Sequence, residues 1–201
     1  MAEAEDKYKV LIQEFNLGNE SLNKELYDSA IEIMKQQKQS KDLHSNIGGW
    51  QGDRDLHAKF KDGTRLGTLL KALFESFAIP ITEYVNNCCV FFKRDTSPSY
   101  SWNFTGAWFN VAKKGAYNAP HTHPFNEISG AYYIRTEDAP EDYPFSGRID
   151  FFHENGLTSY FPKPGDLILF PSSMLHFVHP YYGSEYRMSL SFNIKNIHPE
   201  K

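Results

Sequence analysis

The pattern of hydrophobic residues changes near residue 87, and this change limits the folds open to the 201-residue chain. From Cys88 onward, short segments rich in Phe, Tyr, Val and Ile alternate with Gly, Pro, Asn or Asp, which is typical of strands joined by turns. Because no helix-length segment separates them, the sheets are expected to be mostly antiparallel. About seven such strands in about 110 residues indicate a sandwich, a barrel or a jelly roll. The predicted strands are 88–94, 101–112, 129–135, 147–152, 157–161, 167–171 and 186–194.

The chain before this change is predicted to be helical. Ser21 precedes an amphipathic segment, 22–39, and suits the N-cap of a first helix. A second helix is predicted over 65–85, where apolar residues recur at helical spacing, with Pro80 expected to kink or split it. Both helices are expected to cover one face of a sheet.

Composition agrees with a single domain. The length suits one domain, hydrophobic residues make up 40% of the chain, and the aromatic share of 15% favours a sheet-rich core. Within one domain, 1–201, we interpret 1–87 as a helical cover and 88–196 as the β core that carries the chemistry.

Charge and hydropathy narrow the expected partners and compartment. The net charge of −4 comes without a basic cluster, so nucleic acid is not expected to bind. No window approaches the roughly 18 apolar residues of a membrane span, and the acidic N-terminus lacks the apolar run of a signal peptide. The adjacent Cys88 and Cys89 suit reduced thiols better than a strained vicinal disulfide. We therefore expect a cytoplasmic protein that does not bind membranes.

The first candidate for chemistry is the segment YNAPHTHP, which contains His121 and His123. In an extended segment, side chains two residues apart lie on the same face, so the two imidazoles can converge on one ion. The flanking prolines stiffen the segment. The alternative is that both histidines are ordinary loop residues.

A third histidine, His176, follows the segment PKPGDLILFPS, in which a Pro-Gly-Asp turn leads into an apolar strand. Such a strand is expected to return beside the His-x-His strand and to close a pocket between two sheets. Alone, His176 suits a structural role equally well. Together the three histidines favour a metal site.

The last predicted strand, YRMSLSFNI, alternates cleanly between two faces. One face is apolar, and the other carries Arg187, Ser189, Ser191 and Asn193. The polar face can point to solvent or can line a pocket. In a pocket, Arg187 can bind a carboxylate through two hydrogen bonds, and a serine hydroxyl such as that of Ser189 can add another.

The order His-x-His, His, Arg resembles the 2-oxoglutarate- and Fe(II)-dependent oxygenases, in particular a bacterial and phage group distantly similar to prolyl hydroxylases. The resemblance runs from Ser45 to Asn193, through SNIGGWQ, GAWFNVAKKGAYNAPHTHP, SGAYYI, PGDLILFPSSMLHFVHP and YRMSLSFN. It implies a mainly β fold with N-terminal helices around a double-stranded β-helix, the jelly-roll and cupin-like core. It also implies Fe(II), 2-oxoglutarate and O2 as cofactor and cosubstrates of a dioxygenase, with no catalytic residue beyond the metal centre.

The resemblance assigns roles to individual residues. His121 becomes the first iron ligand and His176 the last. Arg187, eleven residues after His176, takes the position that pairs with the distal carboxylate of 2-oxoglutarate. The residues expected to support the cosubstrate are Tyr133, Asn110, Ser189 and Asn193.

One departure from the family pattern concerns the middle ligand. The usual facial site has two histidines and one carboxylate, whereas this chain has His123 where the carboxylate stands. Three imidazoles still suit Fe(II) and also suit zinc or cupin-type metals. Glu127 or water could complete the site in place of His123, and His179 is an alternative for His176.

Two other functions stay open at this point. One is a cupin-like enzyme with three histidines that does not use 2-oxoglutarate, and the other is a non-catalytic jelly-roll binding module. For a hydroxylase, the substrate could be a small molecule or a peptidyl residue such as proline. Trp50 and Gln51, beside the Gly48-Gly49 turn, and the tract 136–146 are expected to contact it. A homodimer is compatible with the sequence, and the resemblance suggests a bacterial or phage-infected cell.

Overall fold

The computed structural model describes residues 2–36 and 45–200, with the side chains described from Lys7 onward. Within these ranges, all helices precede the first long strand. The helices are α1 (Ala2–Leu11), α2 (Glu20–Gln36), α3 (Leu56–Lys59), α4 (Arg65–Ser76) and α5 (Ala78–Phe91). The strands are β1 (Gln13–Asn16), β2 (Asn46–Ile47), β3 (Trp50–Gln51), β4 (Tyr100–Ala112), β5 (Tyr117–His121), β6 (Ile128–Arg135), β7 (Ile149–His153), β8 (Gly156–Tyr160), β9 (Asp166–Pro171), β10 (His176–Val178) and β11 (Arg187–Pro199).

The strands form two antiparallel sheets. The major sheet has the order β1-β9-β6-β11-β4-β3, and the minor sheet has the order β2-β5-β10-β7-β8. Apolar side chains from β6 and β9 on one sheet pack against those from β7 on the other, including Tyr133, Phe151 and Phe170. This arrangement is a jelly-roll core behind N-terminal helices, which confirms the predicted fold class.

Apolar and polar side chains alternate in β11, so one face of the major sheet packs against the helices and the other lines the space between the sheets. Its large apolar residues join the main hydrophobic core under the helices: Met188, Leu190, Phe192 and Ile194. Its polar residues line a cavity between the sheets: Arg187, Ser189, Ser191 and Asn193. Because β11 pairs with β4 on one side and β6 on the other, these polar side chains stand in the middle of the sheet.

The helices cover the outer face of the major sheet. Leu70 and Leu73 of α4 are fully buried there, and the ring of Phe77 stacks on that of Phe192 with a centroid separation of 5.0 Å. Burial of such side chains contributes roughly 1.5–3 kcal/mol each. The helices therefore support the outer face of the major sheet, and the inner face of this sheet lines the cavity.

Local boundaries differ from the sequence prediction in two places, and part of one predicted helix lies outside the described residues. Asn19, not Ser21, caps α2, because its side chain accepts a hydrogen bond from the backbone N–H of Leu22 at 3.0 Å. Residues 37–39 of the predicted helix lie outside the described residues. The predicted strand 88–94 is wrong, since α5 continues to Phe91. A short apolar run does not distinguish a strand from the end of a buried helix.

The second predicted helix is divided as expected. The chain forms α4 and α5 on either side of Phe77, and Pro80 stands in the first turn of α5, where its missing N–H has no helical partner to lose. None of the helices in the described ranges is long and apolar enough to cross a membrane. Cys88 and Cys89 are free thiols, and burial raises the pKa of Cys88 to about 11, which keeps it protonated near neutral pH.

Candidate metal centre

Pairing in the minor sheet brings the three predicted histidines together. His121 ends β5 and His176 begins β10, and the two residues are direct partners in the antiparallel ladder. His123 follows β5 by two residues, and its backbone N–H donates to the carbonyl oxygen of Ser172 at 2.8 Å. The ladder therefore supplies two imidazoles, and this backbone hydrogen bond positions the third.

The three rings are close enough to share one ion. One ring nitrogen from each of His121, His123 and His176 lies within 4.8 Å of the others. The Nδ1 atom of His121 lies 2.8 Å from the carbonyl oxygen of Ala119, and that of His176 lies 3.0 Å from the carbonyl oxygen of Met174. When Nδ1 carries the proton and donates it, the Nε2 lone pair is left to bind a metal.

Burial keeps the imidazoles of His123 and His176 neutral. Desolvation, with the nearby His176 and His121 rings, lowers the pKa of His123 to about 2. Desolvation, with His121, lowers the pKa of His176 to about 3. A neutral imidazole is the form that binds metals, so these two rings need no deprotonation near neutral pH.

The donor set fits a divalent transition metal. Among the described residues, these three histidines form the group with metal-ligand spacing. Glu127 is exposed and accepts a hydrogen bond from the N–H of Ile197, and the Nε2 atom of His179 lies 2.8 Å from an oxygen of Asp150. Both alternatives from the sequence are therefore engaged elsewhere. Three imidazoles suit Fe(II), and they also suit zinc.

The histidines open into a cavity of about 360 Å³ between the two sheets. This volume is at the lower end of ordinary small-molecule sites. Two arginines and many amides and hydroxyls line it, and no Asp or Glu is among the described lining residues. Its polar lining from outside the histidine cluster consists of Ser45, Gln51, Arg54, Asn110, Asn118, Thr122, Asn126, Tyr133, Arg187, Ser189, Ser191 and Asn193.

Arg187 is a buried cation in the wall of this cavity. Arg187 is 4% exposed, and its guanidinium lies 5.0 Å from the ring centroid of Tyr133. Its Nη2 atom is buried without a hydrogen-bond partner among the described residues. A buried charge of this kind is costly unless an anion completes it. A guanidinium in this position can bind a carboxylate.

A chain of hydrogen bonds connects the floor of the cavity to the histidine loop. The Ser129 hydroxyl donates to the Oδ1 atom of Asn193 at 2.7 Å and lies 2.8 Å from the Ser172 hydroxyl. Nearby, the Nδ2 atom of Asn110 donates to the Ser191 hydroxyl at 2.9 Å. These bonds hold the side chains of Ser129, Ser172 and Asn193 in place, because breaking one would leave a buried polar group without its partner.

Most predicted pocket residues line the cavity, and some do not. The lining includes Gln51, Asn110, Tyr133, Ser189 and Asn193. Trp50 does not line the cavity, contrary to the prediction, because it packs against the core under the helices. Successive residues of a strand point to opposite faces, so Gln51 on β3 faces the cavity and Trp50 does not.

The tract 136–146 does not line the main cavity, contrary to the expectation. Instead, the carboxylate of Glu137 accepts hydrogen bonds from the backbone N–H groups of Ser184 and Glu185, at 2.8 and 2.9 Å. The tract thereby holds the loop that leads into β11. Its contribution to the site is indirect, through the strand that carries Arg187.

Sequence reasoning missed Arg54 and Trp108. Both line the cavity, and the guanidinium of Arg54 lies 4.3 Å from the ring centroid of Trp108. The spacing of two between Trp108 and Asn110 on one predicted strand could have indicated that they share a face. Arg54 lies in an irregular segment between β3 and α3, where no periodicity indicates direction.

Part of the chain matches a known protein family. Residues 106–193, which include the three histidines and Arg187, match the family described as "Putative 2OG-Fe(II) oxygenase". Over these residues the chain is similar to the 2-oxoglutarate- and Fe(II)-dependent oxygenases, and its cluster of three histidines agrees with that class. Members of this family use Fe(II), 2-oxoglutarate and O2, so the protein is an oxidoreductase. No curated protein sequence shows a significant match to the chain.

Solved structures show that the fold of this oxygenase is shared with prolyl hydroxylases. A Pseudomonas putida prolyl-4-hydroxylase has 14% identity and a TM-score of 0.62, with 97% of this chain and 98% of that chain covered. A Trichoplax adhaerens prolyl hydroxylase, in complex with a hypoxia inducible factor peptide fragment, has 14% identity and a TM-score of 0.65, with coverage of 96% and 89%. A collagen prolyl hydroxylase of Paramecium bursaria Chlorella virus 1 has 17% identity and a TM-score of 0.56, with coverage of 92% and 95%.

Proposed function

We propose that this oxygenase is a hydroxylase whose iron is bound by His121, His123 and His176 and whose 2-oxoglutarate is anchored by Arg187. The observation that supports this proposal best is their arrangement in one cavity. Three imidazoles stand on or directly after strands of the minor sheet, and a buried guanidinium stands on the major sheet. A metal ligand set and a carboxylate site are the two parts that 2-oxoglutarate chemistry needs.

The role of the histidines is to hold the metal and to leave space beside it. Bound Fe(II) with 2-oxoglutarate supplies the oxidation of a C–H bond by O2, which protein side chains alone do not perform. His121 and His176 are held by backbone carbonyl groups at Nδ1, which fixes the direction of their rings. His123 replaces the usual carboxylate and makes the site more positive by one charge.

The role of Arg187 is to orient the cosubstrate. The guanidinium of Arg187 can donate two parallel hydrogen bonds to the two oxygens of a carboxylate. Its buried Nη2 atom has no hydrogen-bond partner among the described residues. Tyr133, Ser189, Asn110 and Asn193 contribute polar atoms or ring contacts to the same wall. The apolar surfaces of Phe170, Ile149 and Val178 also line the cavity and help to exclude water.

For the substrate, we propose an amino acid or a peptidyl residue. The supporting consideration is that the structural relatives include prolyl hydroxylases, one of them solved with a peptide fragment. A side chain could enter the cavity beside His123, where Asn126 also lines the wall. The small volume favours a single residue or a small molecule over a bulky one.

Succinate release tests this function. The protein, reconstituted anaerobically with Fe(II), is mixed with 2-oxoglutarate and O2, and succinate is measured with and without amino acids and short peptides. We expect slow succinate formation without substrate and faster formation with a suitable one. His176→Ala should abolish both rates. As a matched control, His198→Ala removes an imidazole outside the cavity and should retain them. Absence of any metal-dependent succinate would contradict the proposal.

A further inference from the structure

The loop that follows His123 holds an exposed phenylalanine in a strained backbone conformation. Pro124 and Phe125 are the central residues of a turn, and Phe125 has a φ of +69°. Proline followed by a positive φ is the pattern of a type II turn, in which glycine is the usual second residue. A bulky side chain in this conformation destabilises the folded chain. Phe125 gains nothing from burial in return, since it is 95% exposed.

Two other non-glycine residues with a positive φ among those described have a local reason for it. Asn196 belongs to a residue type that tolerates this conformation. Lys93 follows the C-cap residue of α5, a position that commonly adopts the left-handed conformation. Phe125 has neither reason, so its conformation needs another explanation.

The turn is held in place from both ends. The backbone N–H of His123 donates to the carbonyl oxygen of Ser172 at 2.8 Å, and that of Glu127 donates to the carbonyl oxygen of Ile194 at 3.0 Å. Strain that the surrounding structure maintains in this way is found mainly at functional sites. The strained turn is therefore a fixed part of the fold, and a functional role for Phe125 would explain it.

Phe125 stands at the rim of the cavity. Its two neighbours, Pro124 and Asn126, line the cavity, whereas Phe125 is open to solvent. The cavity of about 360 Å³ must also hold 2-oxoglutarate, which leaves room for little more than one side chain of a substrate. A larger substrate has to cross the rim, and a free amino acid does not.

We propose that Phe125 contacts an apolar side chain next to the residue that is oxidised, so that the substrate is a peptide segment and not a free amino acid. This inference rests on the proposed function, because it concerns the substrate of the same iron site. A phenyl ring that is exposed in the free protein gains free energy when it covers apolar surface on binding. That gain offsets the strain of the turn.

A peptide fits this rim better than an acyl chain does. Asn118 and Thr122, which precede the turn, line the cavity with an amide and a hydroxyl group. Such groups can form hydrogen bonds with the N–H and C=O groups of a peptide, whereas an acyl chain offers them no partner. Phe125 then supplies the apolar contact for a neighbouring side chain.

Selection from a phage-displayed library of random heptapeptides tests this proposal without a known substrate. The parent protein, loaded with Mn(II) and 2-oxoglutarate, should enrich peptides with an apolar residue at a fixed distance from a second selected residue. Phe125→Ala should lose the apolar preference and keep the second one. The matched control is Phe92→Ala, which removes an exposed ring outside the cavity lining and should keep both preferences.

Two kinds of failure can be told apart in this experiment. The visible charge-transfer band of the Fe(II)–2-oxoglutarate chelate is measured separately, and its absence would contradict the proposed function. A normal band without apolar enrichment in the parent, or with the same enrichment in Phe125→Ala, would overturn only the role of Phe125.

The affinity of the most enriched peptide locates the contact. With a fluorescent label on this peptide, Phe125→Ala should bind at least about fivefold more weakly than the parent in an anisotropy titration, because apolar burial is lost. Replacing the apolar residue of the peptide by Ser should weaken binding to the parent by a similar factor and leave binding to Phe125→Ala unchanged. Equal losses in both proteins would place the contact elsewhere and overturn the proposal.

Urea unfolding and sedimentation velocity exclude other roles of the ring. Phe125→Ala should unfold near the urea midpoint of the parent, because the ring is exposed. Phe125→Gly should unfold at a higher midpoint than Phe125→Ala, because glycine adopts a positive φ without strain. A clearly lower midpoint for Phe125→Ala would show that the ring supports the fold. A parent dimer that dissociates in Phe125→Ala would assign the ring to a second copy of the chain. Either result would overturn the proposal.

Discussion

At the scale of single residues, the unusual ligand is His123. Its ring nitrogen lies within 4.8 Å of those of His121 and His176, although the common facial site has a carboxylate at this position. We predict that His123→Asp retains Fe(II) binding and succinate formation, because the carboxylate restores the usual donor set. His123→Ala should weaken Fe(II) binding by at least about tenfold, the lower limit seen even for loss of groups that only support a ligand.

Metal titration under anaerobic conditions measures both effects. His121→Ala and His176→Ala serve as references for loss of a ligand, and His198→Ala serves as the matched control, since His198 is exposed and lies outside the cavity. Parent-like Fe(II) affinity in His123→Ala would show that water or another group completes the site.

Arg187 carries the prediction for the cosubstrate. Arg187→Ala should weaken 2-oxoglutarate binding by about 2–5 kcal/mol, or roughly 30-fold to several-thousand-fold, because a buried charge-assisted pair is lost. Arg187→Lys should recover only part of the affinity, since an ammonium lacks the fork of hydrogen bonds. The measurement is a 2-oxoglutarate titration of the chelate band. Fe(II) binding should survive both changes, and an unchanged titration in Arg187→Ala would remove the assigned role.

At the scale of elements, the packing of β6 against β11 depends on a glycine. A Cβ atom added at Gly130 would lie 2.2 Å from the ring of Phe192, which is fully buried. We predict that Gly130→Ala lowers the free energy of unfolding by about 1–3 kcal/mol through overpacking. Urea unfolding measures the loss. Adding Phe192→Leu to Gly130→Ala should recover part of it, and a double variant less stable than the additive sum would contradict this explanation.

A second prediction at this scale concerns the outer face of the minor sheet. Asp150 on β7 is 1% exposed, and one of its oxygens lies 2.7 Å from Arg148 and 2.8 Å from His179. Removing one partner from a buried ionic cluster leaves the others without compensation, so Asp150→Ala should cost about 3 kcal/mol in unfolding free energy. Urea unfolding at pH 7 gives the value, with Asp142→Ala at an exposed position as the control.

The pH dependence of this cost follows from the pKa of Asp150. Burial alone would raise that pKa, but hydrogen bonds from His179, Ser159 and Arg148 outweigh burial and lower it. A lowered carboxyl pKa contributes stability that is present above the unfolded value of about 3.9 and is lost as the pH falls through the folded value. The difference between parent and variant should therefore shrink only below about pH 4. A difference that shrinks between pH 7 and pH 5 would contradict this assignment.

At the scale of the whole molecule, the site joins the two sheets. The proposed iron ligands belong to the minor sheet, and Arg187 begins a strand of the major sheet. Metal and 2-oxoglutarate together should therefore stabilise the assembled jelly roll, by about 2.7 kcal/mol for a ligand at 100 times its Kd. We predict that Mn(II) raises Tm and that 2-oxoglutarate raises it further in its presence. Differential scanning fluorimetry measures both increments.

Three variants separate the contributions to this stabilisation. Arg187→Ala should keep the Mn(II) increment and lose the increment from 2-oxoglutarate. His176→Ala should lose both, and Arg94→Gln should keep both. A 2-oxoglutarate increment of the same size without metal would indicate that the cosubstrate binds away from the ion.

The sequence determined the features that repeat at short range. The period of two in 186–194 predicted both the strand and its two faces, and the spacing of His121 and His123 predicted that both rings could reach one ion. The helical period placed α4 correctly. The strand predicted at 88–94 was wrong, because a short apolar run does not distinguish a strand from the end of a buried helix.

The tertiary structure decided which distant groups meet. Pairing of β5 with β10 set His121 opposite His176, and the pleat of β3 turned Gln51 into the cavity and Trp50 away from it. No sequence pattern indicated Arg54, since an irregular backbone has no period from which the direction of a side chain can be read. Local spacing along the chain therefore indicated the types of metal donor. The cavity and its second arginine arise from packing of segments far apart in the chain, where burial and strand register select the contacts.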